Sequence, residues 1–514
     1  VRSLSGADAD VQTQEAGIVL ADRIPLSSRM VLALGCGDGA FAAELRRRNP
    51  ACTVVGIERD PGLAREAARV MHQAYCLDIE WGPLPRLPAA PDCILLGPGL
   101  LGATRDPTAT LAEFAAMLAP GGVVVACAPD EPGRFGPDSF GPAIERAGLH
   151  LVDMDEGAWA GPGVRWVYRA TRGAVARFSV ASTMLPPVGG VSQVRVVEPQ
   201  RALATLPGVS TRIANRVADV PNLGDPPGVF ILHRPALLGA QGLGIVRQLI
   251  DQGWLVVCEF DDHPSQIPIL YRSDVQNFRA VHAIQTSTPL LAEIFRAENP
   301  EVAVFPNAVS RLPDPQNFAD PQRLTMLFAA LNREHDWPGH IGAIDAAAQA
   351  AGGRLHVHVI ADRGFFDALA TPHKAFTPLC DYATYLDILA GCEISFMPLR
   401  DTLFNRCKSD LKFLEAAAHR AVALASPVVY GQSIDDGRNG LLFDSPAMLR
   451  THLMRLAAAP HEARALAERA REGVGRSRML AYQVADRLEW YRGLWARREE
   501  LHRALLDRMP ELAA

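Results

Sequence analysis

Three groups of residues in this 514-residue chain have types and spacings that suit chemistry. The first is Gly35-x-Gly37-x-Gly39, directly after the apolar run Val31-Leu32-Ala33-Leu34, with Glu58 and then Asp78 further on. Glycines so placed let the backbone turn sharply and approach a ligand with no Cβ in the way, close to the amides of a following helix. An acid at the end of the next strand, about twenty residues on, stands where a doubly wound fold binds a ribose diol. The trio alone is a weak sign; with Glu58 and Asp78 it reads as a nucleotide-type site.

The second group is Lys408-Ser409-Asp410-Leu411-Lys412-Phe413-Leu414-Glu415, with Arg333 upstream in Leu331-Asn332-Arg333-Glu334. Cations at the start of a helix suit an anionic ligand, because the helix amides add to their charge. The third group ends two apolar runs: His233-Arg234-Pro235, and Glu259-Phe260-Asp261-Asp262-His263. Carboxylates beside a histidine can position a hydroxyl or exchange a proton with it, and a carboxylate pair can also bind a divalent ion. Acceptor contact at His233, Arg234, Asp261, Asp262 and His263 is the expectation, with no metal; loop hydrogen bonding is the structural alternative. His335, His340, His356 and His358 lack metal spacing, and those on strands read as core residues.

These groups need elements to hold them. Met30–Leu34, Thr53–Ile57, Asp92–Leu96 and Val123–Ala126 read as short buried strands alternating with helices, the pattern of a parallel sheet wrapped by helices. The regular pattern lapses over Thr171–Gln193, and Pro186-Pro187-Val188-Gly189-Gly190 reads as a linker. A second series follows, with strands expected at Val194–Val197, Val229–His233, Trp254–Glu259, Ala280–Gln285 and Val302–Phe305. A third follows at Thr325–Phe328, Leu355–Ile360, Ile394–Pro398 and Ala421–Ala425. From about Pro460 the chain is charged and helical, and Trp490, Tyr491, Leu494 and Trp495 form an apolar stripe expected to pack in a core. The division expected is 1–172, a linker 173–192, lobes 193–310 and 311–460, and terminal helices 461–514.

Length and composition narrow the classes. A single core stops growing near ~250–300 residues, so at least two domains are required. The formal charge of -6 gives no basic surplus, which argues against a nucleic-acid partner. Nine cysteines without a C-x-x-C pair point to free buried thiols and a reducing compartment. No apolar run reaches the ~18 residues that a spanning helix needs.

The first ~170 residues, with Gly35, Gly37, Gly39, Glu58 and Asp78 in order, resemble the Rossmann-like S-adenosylmethionine-dependent methyltransferases. The resemblance implies S-adenosylmethionine as cofactor, with the glycines near its methionine part, Glu58 on the ribose and Asp78 at the adenine. After the fourth strand, however, Gly97-Pro98-Gly99-Leu100-Leu101-Gly102-Ala103-Thr104 offers only a hydroxyl, where related enzymes carry acids and histidines. Methyl transfer to a hydroxyl needs a base in reach. A domain that binds the cofactor without transferring its methyl group therefore stays open.

Residues of roughly 190–500, through Phe404–Ala418, Ala421–Ala425, Asp436–Leu442 and Phe305-Pro306-Asn307-Ala308-Val309, resemble the retaining GT-B glycosyltransferases that use nucleotide-diphosphate sugars. The fold class implied is α/β: a Rossmann-like methyltransferase domain followed by a GT-B pair of Rossmann-like lobes. By resemblance, Arg333, Lys408 and Lys412 hold the donor diphosphate beside Ser409, and Glu415 accepts hydrogen bonds from the donor ribose. In the family Glu415 would be the second acid of a Glu-x7-Glu motif; the place of the first, tied by resemblance to the holding of sugar hydroxyls, is taken here by Cys407, with Asp410 and Asn405 as the substitutes considered. The acceptor implied is a glycan, a lipid-linked glycan or a protein, met in the cytoplasm or at the inner membrane face. A catalytically dead glycan-binding scaffold is the contrasting reading.

Overall fold

The computed structural model describes residues 20–80, 84–97, 100–129, 137–156, 164–184, 190–219, 227–266, 275–320 and 322–513. Its contacts divide the chain into two compact units, one formed by residues up to Phe178 with Arg201–Thr211, the other by Ser179–Gln200 with Arg212 onward.

The first unit is built on strands β1 (Met30–Leu34), β2 (Thr53–Glu58), β3 (Gln73–Cys76), β4 (Cys93–Leu96), β5 (Val123–Pro129), β6 (His150–Glu156) and β7 (Val164–Thr171). They form one sheet in the order β3-β2-β1-β4-β5-β7-β6, parallel except where β7 meets β5 and β6. Alternate residues of β1 feed opposite faces. Leu32 and Leu34 pack with Leu111 and Phe114 on one side, Val31 and Ala33 with Phe41 and Leu45 on the other. A sheet covered on both faces requires such continuous apolar strands, which is why β1, β4 and β5 were readable as a parallel core.

Two further sheets follow along the chain. One comprises β8 (Phe178–Thr183), β9 (Val209–Ala214), β10 (Gly228–His233), β11 (Leu255–Glu259), β12 (Ala283–Thr286) and β13 (Val302–Val304), ordered β13-β12-β11-β10-β8-β9. The other comprises β14 (Leu324–Ala329), β15 (Leu355–Ile360), β16 (Lys374–Thr377), β17 (Ile394–Met397), β18 (Val422–Ala425) and β19 (Leu441–Leu442), ordered β16-β15-β14-β17-β18-β19 and parallel throughout. The two six-stranded sheets are two Rossmann-like lobes in series.

Two expectations fail between residues 173 and 204. Phe178–Thr183, inside the expected linker, is β8, paired in parallel with β10. Val194–Val197, expected as a strand, is helical: a π turn over Gln193–Val197 runs into the helix Glu198–Ala204. Buried positions there are Ser192, Arg195, Val196, Pro199 and Gln200, a helical spacing hidden because three of the five are polar. Of the Pro-Pro-Val-Gly-Gly segment, only Gly190 falls among the described residues.

The terminal helices return to the amino lobe. Leu505, Met509 and Leu512 share a cluster with Phe230, Val256 and Ile284. The Tyr491 hydroxyl donates to Gln285 Oε1 at 2.6 Å, and Arg508 Nη2 to the Val281 carbonyl at 2.8 Å. Between the lobes, Val309 N donates to the Arg478 carbonyl and Leu480 N to the Val309 carbonyl, both at 2.8 Å, so the two crossings are tied side by side.

Candidate functional site

In the first unit, Gly35, Gly37 and Gly39 have φ of 65, 59 and 82°, so each occupies the left-handed region that favours glycine. A Cβ on Gly97, at the end of β4, would lie 2.1 Å from the Gly35 carbonyl oxygen, so the loop depends on a bare backbone on both sides. Glu58 ends β2 almost buried, and its carboxylate accepts from Gly37 N at 2.9 Å and Asp60 N at 3.0 Å. Each oxygen keeps a lone pair for a further donor. Gly35, Gly37, Glu58, Asp78 and Thr104 line one cavity of about 420 Å³, together with Arg59 and Glu80, which sequence reasoning did not single out. Asp78 Oδ1 accepts from Glu80 N at 3.0 Å. The Thr104 hydroxyl donates to the Leu101 carbonyl at 2.9 Å. Pro98 and Gly99 lie outside the described residues.

In the second unit, Asp381 caps the helix Tyr382–Ala390 by accepting from Thr384 N at 2.8 Å. That start places Tyr382 and Tyr385 on one face, three residues apart. Opposite them the helix Leu411–Ala418 carries Glu415, 5% exposed. The Tyr382 hydroxyl donates to Glu415 Oε1 at 2.8 Å and the Tyr385 hydroxyl to Oε2 at 2.7 Å. Burial, and then the Glu415 charge, push both phenols well above their usual range. Lys412 Nζ lies 3.4 Å from Glu415 Oε2 and 3.8 Å from the centroid of the Tyr385 ring. Glu415, Lys412, Arg333 and both tyrosines line a cavity of about 270 Å³, with Gly190 and Val191 at its wall. These last four, the tyrosines and Gly190–Val191, were missed from sequence. The signal for Gly190 was present, since two glycines sit between a strand and a helix as in the first unit.

Arg333 Nη1 donates to Asn405 Oδ1 at 2.8 Å and meets Asp336 at 3.2 Å. Lys408 Nζ meets Asp262 Oδ1 at 2.7 Å and lies 4.2 Å over the Phe404 ring. Burial lowers the Lys408 ammonium pKa, partly offset by Asp262, and the nearby Arg333 charge lowers it further. Ser409 Oγ accepts from Asn307 Nδ2 at 2.7 Å.

At the amino-lobe strand ends, Arg234 adopts φ 45°, unusual for a side-chain-bearing residue, and its guanidinium reaches Asp261 at 2.7 Å and Asp262 at 3.6 Å. Burial alone would raise the Asp261 carboxyl, but Arg234 and Arg195 hold it below the usual range. Arg234, Asp261, Asp262 and Lys408 thus form one chain of charges. His263 is turned to its own loop, its Nδ1 accepting from Ser265 N at 3.1 Å. His233 is 2% exposed, and neither ring nitrogen has a partner among the described residues. Burial lowers its pKa to about 4, so the ring is neutral at pH 7. Glu259, next to these acids in sequence, is committed to structure: Arg195 Nε and Nη2 donate to it at 2.9 and 3.1 Å, and Gln285 at 2.6 Å.

Both substitutes considered for that acid are engaged with neighbours inside the protein. Asn405 spends its oxygen on Arg333 and its amide hydrogens on Asp336 Oδ1 and the Arg400 carbonyl. Asp410 receives Arg478 at 2.8 and 2.9 Å, with Ser433 at 2.6 Å. Cys407 itself is fully buried in the apolar cluster of the amino lobe, where burial pushes its thiol up to about 11. Among the described residues no group of three His, Cys, Asp or Glu is placed to hold a metal ion.

Comparison with known proteins agrees with this division. A methyltransferase domain model matches residues 32–124, and a glycosyl transferase-like model matches residues 342–489. Trans-aconitate 2-methyltransferase of Methylobacterium radiotolerans is 34% identical over 125 residues, 24% of this chain and 46% of that protein. Its counterpart in Azoarcus sp. is 31% identical over 161 residues, 29% of this chain and 61% of that protein. The chain therefore spans about half the length of the curated relatives it matches. Among solved structures, Anabaena Alr3699/HepE, described in complex with UDP and glucose, is 11% identical with a TM-score of 0.42, covering 60% of this chain and 98% of that one. The chain joins a methyltransferase domain to a glycosyltransferase-like domain.

Proposed function

We propose that the second unit transfers a sugar from a nucleotide-diphosphate donor to a glycan, lipid-linked glycan or protein acceptor, and that the first unit binds S-adenosylmethionine. The observation that carries the sugar-transfer reading is the polarity of the cavity in the carboxy lobe. The nearly buried carboxylate of Glu415 and the cations Arg333 and Lys412 line the same walls. A nucleoside diphosphate presents a diol to the former and phosphates to the latter. Lys408 and Ser409, before the same helix, complete the phosphate side. His233, Arg234, Asp261 and Asp262 lie on the amino lobe, where the acceptor hydroxyl would enter, and closing the two lobes would keep water from the donor. Retention of configuration follows from resemblance alone.

The first unit fits S-adenosylmethionine: its cavity combines three glycines in left-handed conformations with an inward carboxylate, Glu58, that retains accepting capacity. When bound, that cofactor supplies an electrophilic methyl group. Gly35 and Gly37 would admit its methionine part, Glu58 would hold the ribose and Asp78 the adenine. Binding without methyl transfer stays as a second reading, because the Thr104 hydroxyl is spent on the Leu101 carbonyl and the Glu80 carboxylate in the same cavity accepts from Arg105 N at 2.7 Å. Free thiols at all nine cysteines fit a cytoplasmic setting, at the inner membrane face where the acceptor is lipid-linked.

The test is thermal unfolding against nucleoside diphosphates, nucleotide sugars and S-adenosylhomocysteine, since a ligand of the native state raises the midpoint. One nucleotide is expected to raise it in the wild type and not in Glu415→Gln. No shift with any nucleotide would move the reading to a glycan-binding scaffold without transferase activity.

A further inference from the structure

We propose that Asp262 binds hydroxyls of the donor sugar, the task left open by the cysteine at position 407; this deepens the sugar-transfer reading and rests on it. Cys407 is closed off in an apolar cluster, and Asn405 and Asp410 have their polar atoms committed to Arg333, Asp336, Arg400, Arg478 and Ser433. Asp410, the acid of the carboxy lobe nearest this place in sequence, is held in a bidentate pair by Arg478, which neutralises it. The amino lobe offers an acid with a more open oxygen. Asp262 Oδ1 lies 2.7 Å from Lys408 Nζ and accepts from His263 N at 3.2 Å, while among the described residues Oδ2 has only the 3.6 Å approach of Arg234. An ionised carboxylate oxygen with open lone pairs accepts from hydroxyls readily.

Distance along the ligand supports the assignment. In any nucleotide-diphosphate sugar a single oxygen separates the anomeric carbon from the distal phosphorus. A donor whose diphosphate contacts Lys408 therefore begins its sugar ring within reach of the acid that touches Lys408. Asp261, its neighbour, forms its 2.7 Å ion pair with Arg234 rather than with Lys408, so it is not the acid that adjoins the diphosphate cation. His233, on the adjacent strand, is buried with neither ring nitrogen partnered among the described residues, and it feels the Asp261 charge. A neutral imidazole pairs with a sugar hydroxyl, which both donates and accepts.

The arrangement has a consequence of opposite sign for two ligands. Asp262 competes with a diphosphate for Lys408, so removing its charge frees the ammonium, and the same change removes the acceptor of the sugar hydroxyls. Calorimetric titration of the full chain with UDP, GDP and ADP, and with UDP-glucose, UDP-N-acetylglucosamine, GDP-mannose and ADP-glucose, reads both. In Asp262→Asn the affinity for the matching diphosphate is expected to hold or rise, while the affinity of its nucleotide sugar falls about 10-fold or more, the loss of a hydrogen bond to a charged group. Lys408→Met should weaken both ligands together. If Asp262→Asn changes diphosphate and nucleotide sugar by the same factor, or changes neither, the proposal is overturned; should that variant not fold, Asp262→Ser is read in the same way. Failure of the wild type to bind any diphosphate would instead remove the sugar-transfer reading itself.

Discussion

Single residues decide what this chain can and cannot do at its second site. Restoring an acid at position 407 illustrates the point. Cys407 is 0% exposed among apolar side chains, so Cys407→Glu would bury an unpaired carboxylate. A loss of several kcal/mol in chemical denaturation is expected, with no gain in donor affinity. A gain in affinity at unchanged stability would mean that the position faces the ligand. His233 makes a second prediction. Its pKa is lowered to about 4 from 6.5, so on acidification the unfolded chain takes up the proton first. Stability is present above pH 6.5 and is lost as the pH falls toward about 4, at roughly 1.4 kcal/mol per pH unit for this one group. His233→Gln should remove that part of the slope, measured by urea unfolding at pH 7.5, 6 and 5. Neither effect is visible from sequence, where His233 and Cys407 are a polar residue after a strand and a thiol before a helix, with nothing to say which is enclosed.

Elements were readable where burial is apolar and unreadable where it is polar. β1, β4, β5, β10, β11 and β18 are mainly continuous apolar runs, and β2, β14 and β17 are apolar with one or two small or polar residues, while β15 alternates as Leu-His-Val-His-Val-Ile; their positions follow from those patterns. β8 is Phe-Ser-Val-Ala-Ser-Thr, diluted by hydroxyls, and was passed over as linker, though four of its six residues are buried. The following helix hides its period behind buried Arg195 and Gln200. Because Gly190 lies between these two elements, the wall of the carboxy-lobe cavity was not readable either. A Cβ on Gly190 would come within 2.5 Å of the Tyr382 ring. Gly190→Ala is therefore expected to displace Tyr382 from Glu415 and to weaken nucleotide binding several-fold, leaving S-adenosylhomocysteine binding unchanged. Equal nucleotide affinity in this variant would show that the strand-to-helix turn does not govern the cavity. The tyrosine pair was unreadable for a different reason: an i, i+3 spacing on a helix is common in cores, and only the carboxylate across from it, thirty residues later, gives it meaning.

At the scale of the molecule, two compact units each carry a cavity lined by one of the motif groups, and this division was visible in the order of motifs because each glycine or cation group follows its own buried strand. The fine boundaries were not visible, since Arg201–Thr211 clusters with the first unit although it follows Ser179–Gln200 of the second. Within the first unit that segment has a definite function: Arg169 Nη1 donates to the Thr205 carbonyl at 2.9 Å, and Leu26 N donates to Thr205 Oγ1 at 2.9 Å. Units with their own cores unfold in their own transitions unless an interface couples them. Scanning calorimetry of the full chain should therefore resolve two transitions, one raised by S-adenosylhomocysteine and the other by the matching nucleoside diphosphate. Each ligand at a hundredfold excess over its Kd contributes about 2.7 kcal/mol to its own unit only. Glu58→Gln should abolish the first response and Glu415→Gln the second, without crossover. A single transition raised by both ligands would mean that the units are coupled in folding, and that the pairing of a methyltransferase domain with a glycosyltransferase-like domain is energetic as well as covalent.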